Sequence, residues 1–199
     1  WNRRSGLDAL ARELSRALRH SRPLGVGLID IDQFKKVNDN HGHLVGDDVL
    51  RGLVKRLSSS LRRYDYLCRY GGEEFPVLAP GATEKTPWDR ILQAVALDPF
   101  ETRAGPISVT VSIGSTISSG DDDPEAVISA SDIALYRAKE LGRNRSEHEA
   151  LSLSKSASTD RSPDAKALSS KGSEFSRSLS SSVAHRSRDR ILIAEDDLT

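Results

Sequence analysis

Leu7, Leu10, Leu14 and Leu18 recur at helical spacing with Arg and Glu between them, which predicts an amphipathic helix over about residues 6–20. Past Pro23 the pattern changes period. Leu24, Val26 and Leu28 alternate with Gly25 and Gly27 and run into Ile29-Asp30-Ile31-Asp32, a strand whose small residues suit a helix lying close against it. Gln33 to Asp39 reads as a short helix opened by Asp32. Asn40 to His43 reads as a loop, and Val49, Leu50, Leu53, Val54, Leu57 and Leu61 mark a strongly periodic helix entered through Gly46-Asp47. Two strand-like runs, Tyr64 to Leu67 and Phe75 to Leu78, flank Gly71-Gly72 and predict a β-hairpin, since favoured hairpin turns need central residues at positive φ.

Pro80 to Thr83 follows as a loop and Pro87 to Leu97 as a helix with proline in its first turn. Phe100 to Arg103, a turn at Ala104-Gly105-Pro106, and Ile107 to Gly114 predict a second hairpin. Asp121-Asp122-Asp123-Pro124 opens a last helix that stops at Gly142 and leaves Lys139 and Arg143 on one face. A cationic last turn answers the helix dipole without any ligand. From Ser146 to Arg188, 15 of 43 residues are serine and Phe175 is the only aromatic, so the segment is expected to be a disordered linker. Its Arg-Ser pairs are too sparse for an RNA-binding tract. Ile191 to Ile193, followed by Glu195-Asp196-Asp197, reads as a short strand ending in acids.

Composition narrows the classes. With Lys+Arg and Asp+Glu equal at 29 in 199 residues, no global field points to a nucleic-acid or membrane partner. One cysteine, Cys68, excludes an intrachain disulfide framework and fits a reducing compartment. No apolar run approaches the ~20 residues of a membrane span and no signal peptide opens the chain. The expectation is a soluble, cytoplasmic protein, and a fragment, because Trp1 stands where an initiator methionine would.

Two features call for chemistry. Asp30 and Asp32 lie at i and i+2, on one face of their strand. Glu73 and Glu74 crowd a hairpin tip where like charges repel, so they are either a solvated charged tip or a cation site. His41 and His43 have the spacing of a zinc pair but no Cys or third His nearby, which makes them loop residues with hydrogen-bonding duties.

Taken in order, Asp30-Ile31-Asp32, Phe34-Lys35-Lys36-Val37-Asn38-Asp39, Gly42-His43, Gly46-Asp47 and Tyr70-Gly71-Gly72-Glu73-Glu74-Phe75 resemble the GGDEF family, the diguanylate cyclases, over residues 1 to about 145. Trp1 to Arg4 resembles the end of the family's opening motif, and Val109 to Gly114 and Lys139 to Asn144 its closing motifs. The resemblance implies an α/β (α+β) fold: a central, mostly antiparallel sheet wrapped by helices, akin to the palm of nucleotidyl cyclases and polymerases. It implies condensation of two GTP into cyclic di-GMP with release of pyrophosphate, on Mg²⁺ (or Mn²⁺), by a homodimer. It puts Asp30, the Ile31 carbonyl and Glu73 on the metal, with Glu74 as ligand or general base. It puts Asn38 and Asp47 on the guanine edge, His43 near the nucleotide, Phe34 and Lys35 at phosphates, and Lys139 and Arg143 on the β/γ-phosphates.

Arg62-Arg63-Tyr64-Asp65 resembles the family's product-inhibition site, with Arg90 and more distantly Arg16 as further cations; the local alternative is an i, i+3 ion pair at a helix end. Residues 189–199 resemble the start of a receiver domain. Pro76, which lacks an N–H, suits an edge position or a bulge, and Arg145 to His148 is too polar for the closing strand the family has there. The alternative function is a catalytically silent GTP- or cyclic-di-GMP-binding module.

Overall fold

The computed structural model describes residues 3–69 and 71–151; Tyr70, most of the Ser-rich segment and the acidic terminus at 189–199 lie outside the described residues. The element order is α1 (Arg3–His20), β1 (Leu24–Ile31), α2 (Phe34–His41), α3 (His43–Ser60), β2 (Tyr66–Leu67), β3 (Glu74–Pro80), α4 (Trp88–Ala96), β4 (Phe100–Thr102), β5 (Gly105–Ile107), β6 (Val111–Ser118), α5 (Pro124–Glu140) and β7 (Ser146–His148). The main sheet runs β2-β3-β1-β6-β7, antiparallel except for the parallel β6–β7 pair.

β1 is the central strand and is covered on both sides. Ile29 and Ile31 point into a core with Val49, Leu53, Leu57, Trp88 and Ile91, contributed largely by α3 and α4. Leu24 and Val26 point the other way, with Leu10 and Leu14 of α1 and Val127 and Ile128 of α5. The Gly25/Gly27 pattern does mark a close approach: a Cβ on Gly27 would stand 2.4 Å from the Trp88 ring. On the opposite face α5 sits closer still. At Gly114 of β6 a Cβ would meet the Leu135 amide nitrogen at 2.0 Å and the Ser131 carbonyl at 2.1 Å. Ser131 itself is buried and bonds the carbonyl of Val26. Asp123 caps α5, accepting from the amide of Ala126 at 3.2 Å.

Five expectations are corrected. Asn40 to His43 is not a loop: α2 runs on to His41 and α3 begins at His43, with Gly42 alone between them at φ 84°. The second hairpin is smaller than its alternation suggests: β4 and β5 form their own two-stranded sheet around Arg103-Ala104, whereas β6 pairs with β1. Asp32 does not open α2; Gln33 stands at that cap with φ 57°, and the Asp32 carboxylate turns away. Pro76 lies inside a paired strand, opposite Leu28. Its carbonyl accepts from the Cys68 amide, and because N–H and C=O of one strand residue face the same way, its missing donor falls on the short β2 side and leaves the β1 ladder intact. Residues 146–148, expected to open the linker, form edge strand β7, held by Ile113 N–H to the Arg145 carbonyl, by Arg137 to the His148 carbonyl at 2.6 Å and by an Arg137–Glu149 ion pair. Among the described residues no helix is long and apolar enough to cross a membrane.

Gly114→Ala is expected to lower the unfolding free energy by about 1–3 kcal/mol, because backbone rather than a flexible side chain blocks the added methyl. Gly6→Ala, in α1 with open space around it, is expected to be neutral or stabilising by up to ~1 kcal/mol. Urea unfolding of both variants, followed by circular dichroism, checks the contrast.

Candidate active site

β1 delivers Asp30 to the end of the sheet, level with Glu74 of β3 on one side and Ser112 of β6 on the other. The residue is only 6% exposed. Burial pushes its carboxyl above the ordinary value, against a hydrogen bond and charge from Lys139; Asp32 adds to the rise and Arg143 opposes it. Lys139 Nζ stands 2.9 Å from Asp30 Oδ2. Thus the helix packed over Gly114 brings its cationic last turn to the acidic strand end.

The tip between β2 and β3 supplies the other carboxylates. Gly71 and Gly72 have φ of 145° and 54°, the Glu74 amide bonds the Gly71 carbonyl, and Arg69 holds the Gly72 carbonyl at 3.0 Å. Glu73 is half-buried in this turn. Burial raises its carboxyl first, then the charge of Asp30, against Lys139, with Glu74 adding to the rise. The tip and the β1 end therefore share one electrostatic field.

Asp32 has a different fate. Its Oδ2 accepts from Thr110 Oγ1 at 2.6 Å and from the Asn144 amide at 3.0 Å, and its Oδ1 from Ser112 Oγ at 2.6 Å. Both oxygens are engaged by the protein.

α2 and α3 form the adjoining wall. Phe34 is buried at the start of α2, Lys35 is exposed, and Asn38 lies against α3. That contact depends on Gly46, whose Cβ would fall 2.0 Å from Asn38 Oδ1 and 3.2 Å from the Phe34 ring. In the sequence Gly46 reads only as an approach to α3; its packing role lies in this contact. His43 is the first residue of α3, and Asp47 is half-buried one position after Gly46. Asp48, which sequence reasoning passed over, anchors this end of α3 to the β4–β5 turn: it accepts from the Arg103 amide at 3.0 Å and Nε at 2.9 Å, and Arg103 holds its carboxyl down at about 2. No local signal links positions 48 and 103.

Arg62 and Asp65 lie at the other end of the β1–β3 pair, beside Tyr66, which is paired with Leu78. The i, i+3 ion pair does not form. Asp65, 2% exposed, accepts from the backbone N–H of Arg62 at 2.8 Å, while the Arg62 guanidinium donates to Tyr64 at 3.0 Å. Burial raises the Asp65 carboxyl against Arg62 and Arg90. A cavity of about 790 Å³ opens at this end, lined by Arg16, His20, Arg22, Arg62 and Tyr64 among others.

Chemically, the β1 end joins hard oxygen donors to two cations, Lys139 in the last turn of α5 and Arg143 in the turn beyond it. Among the described residues, no three His, Cys, Asp or Glu side chains gather as a ready-made metal cage. Such an arrangement suits a cation that takes one or two carboxylates and fills its remaining positions with water and phosphate oxygens.

Proteins of similar sequence and shape point the same way. The family model described as diguanylate cyclase, GGDEF domain, matches residues 1–145. Diguanylate cyclase DgcP of Pseudomonas aeruginosa is 40% identical over 149 residues, 73% of this chain and 22% of that protein. Response regulator PleD of Caulobacter vibrioides is 42% identical over 149 residues, 72% of this chain and 33% of its own length. The chain thus spans a third or less of these curated relatives. Among solved structures, the active GGEEF domain of a diguanylate cyclase from Vibrio cholerae superposes with a TM-score of 0.66 at 34% identity, covering 77% of this chain and 98% of that one. The GGDEF domain of DgcB from Caulobacter crescentus, solved in complex with c-di-GMP, gives 0.67 at 29% identity, covering 75% and 90%. With the family model covering most of the chain and the sheet order, acidic tip and cationic α5 all in place, this chain belongs to the GGDEF family of diguanylate cyclase domains.

Proposed function

We propose that this domain condenses two GTP molecules into cyclic di-GMP, with release of pyrophosphate, as a Mg²⁺- or Mn²⁺-dependent homodimer in the cytoplasm. The observation that carries the reading is the meeting of Asp30, Glu73 and Glu74 with Lys139 and Arg143 at one end of the sheet, with burial and neighbouring charge already raising the carboxyls of Asp30 and Glu73. Electrostatic crowding of this kind is what a triphosphate and its cation would relieve.

The donor set fits the metal: Asp30, the Ile31 carbonyl and Glu73 are hard oxygen ligands, and Glu74 completes the acidic group. When bound, the metal would neutralise charge on the attacking 3′-oxygen and the leaving pyrophosphate. Lys139 and Arg143 hold β/γ-phosphates, Lys35 and the backbone at Phe34 support the phosphate chain, and Glu74 receives the 3′-hydroxyl proton or steadies its loss. Asn38, packed against Gly46, and Asp47 meet the guanine edge, where the Asp47 carboxylate accepts from the N1–H and N2–H₂ donors, which adenine does not present there. His43 borders the nucleotide. Each domain presents one GTP, so two domains must face each other to close a twofold product. The product acts back on the turn of Arg62 and Asp65, with Arg90 adding a cation.

Incubation with GTP and Mg²⁺, with products resolved by mass spectrometry, tests the reading directly. Cyclic di-GMP is expected from the parent chain, and Glu74→Gln is expected to lower its formation on the order of 100- to 1000-fold with an unchanged fold. Turnover of the variant within about tenfold of the parent would remove the assigned role.

Asp47→Ser is expected to relax selection for GTP over ATP, since a polar site rejects an unmatched base only while its own acceptor is present. Competition kinetics with the two nucleotides check it; unchanged discrimination takes Asp47 out of the base pocket.

Added cyclic di-GMP is expected to inhibit the parent, and Arg62→Ala to relieve that inhibition while leaving the initial rate nearly intact. Initial-rate series against added product for both proteins decide the matter, equal inhibition assigning Arg62 to the surface alone.

A further inference from the structure

We propose that Asp32, the second carboxylate of Asp30-Ile31-Asp32, is a positioning residue that fixes the phosphate-facing end of α5 by clamping the turn that follows it; the inference rests on the reading of Lys139 and Arg143 as phosphate-binding residues. Asp32 is 7% exposed, and its three described hydrogen-bond donors are neutral: the hydroxyls of Thr110 and Ser112 and the backbone N–H of Asn144. A buried carboxylate satisfied by neutral donors alone is an expensive way to hold a sheet together, because hydroxyl and amide partners only partly replace its hydration. What this one joins explains its presence. Thr110 and Ser112 belong to the approach and start of β6, the amide of Asp32 bonds the Thr110 carbonyl at 2.9 Å, and Asn144 lies beyond α5. One side chain therefore ties β1, β6 and the exit of α5 to one another.

The segment it holds is strained. Gly142, Arg143 and Asn144 have φ of 110°, 64° and 48°, three consecutive residues on the positive side, of which only the first is glycine. Non-glycine residues persist there only when their surroundings over-determine the conformation. The segment's fastenings are four: the Gly142 amide bonds the Lys139 carbonyl at 3.4 Å, the Arg143 amide bonds the Ala138 carbonyl at 3.0 Å, the Asn144 amide bonds Asp32, and the Arg145 carbonyl then accepts from Ile113 at 2.9 Å as the chain enters β7. Without Asp32, the one side-chain fastening among them is lost and the Asn144 N–H is left without the partner it has here. Arg143 sits inside the clamped turn, near enough to Asp30 for its charge to act there, and Lys139 lies one helical turn before it, in contact with Asp30. Thus the same strand that carries Asp30 also sets, two residues later, the place of the cations that face it.

The test uses the full chain and two readouts. Hydrogen exchange followed by NMR reports protection of the Asn144 amide, and calorimetry compares a non-hydrolysable GTP analogue with GMP, which lacks the β- and γ-phosphates. For Asp32→Ala the expected result is lost protection at Asn144 and a fall of at least about tenfold in preference for the triphosphate over GMP, the equivalent of one hydrogen bond to a charged group. Asp32→Asn, whose carbonyl oxygen can still accept from Asn144, is expected to keep most of both. Should Asp32→Ala not fold, Asp32→Ser takes its place, since its hydroxyl is too short to reach Asn144. Retained protection at Asn144 in Asp32→Ala, or in Asp32→Ser where that replaces it, would overturn the clamp, as would an unchanged triphosphate preference where Arg143→Ala lowers it. A preference unmoved by both Lys139→Ala and Arg143→Ala would instead overturn the phosphate reading on which the inference rests, and Asn144 protection would then decide the clamp by itself.

Discussion

A carboxylate taken out of water must find cations or hydrogen-bond donors to replace its hydration, and two of them, Asp30 in β1 and Asp32 just past its end, are buried where this central strand stops. Much of the architecture at this end of the domain answers that demand. Asp30 is met by a cation from α5, and Asp32 by hydroxyls of the neighbouring strand approach and a backbone amide. The two solutions differ in kind. A lysine ammonium on a flexible stem can leave a carboxylate when another cation takes over, whereas three short hydrogen bonds from fixed positions make a permanent joint.

The seat of α5 makes both solutions possible. Gly114 lets the helix backbone touch the strand, and Ser112, Thr116 and Ser118, on the same face of β6, are buried while keeping side chains small. Bulkier residues there would lift the helix and carry Lys139 away from Asp30. Close packing of this sort transmits displacement, because a tightly packed interior has little free volume in which to absorb it.

How much of this could be read beforehand follows from what each signal reports. The hairpin tip was legible because Gly71-Gly72 between apolar runs is a statement about local φ. α5 was legible because acids, proline and glycine mark its two ends. Pattern failed where partner choice decided the outcome: alternation from Ile107 to Gly114 does not reveal that β5 turns back on β4 while β6 joins β1. β7 was missed because an edge strand can be held by backbone bonds and polar side chains, which hydrophobicity does not score. At the site, the acidic and basic residues were visible as types in order. The division of labour between Asp30 and Asp32, the part played by Gly46 and the Asp48–Arg103 anchor depend on contacts between distant positions. One sequence carries no trace of those.

Pro76 has a mechanical consequence. β3 is fastened to β1 along its whole length but to β2 by the Tyr66–Leu78 and Leu67–Val77 pairs and the Cys68 bond to Pro76. Because proline withholds a donor on that side alone, β2 is the margin along which this sheet can fray while the Asp30–Glu74 register stays closed. β2 is also the sole covalent path from the buried Asp65 turn to the glutamate tip, so a ligand that stiffens the turn would be felt at the tip as damping of a loose margin, with no shift of the strand beneath it.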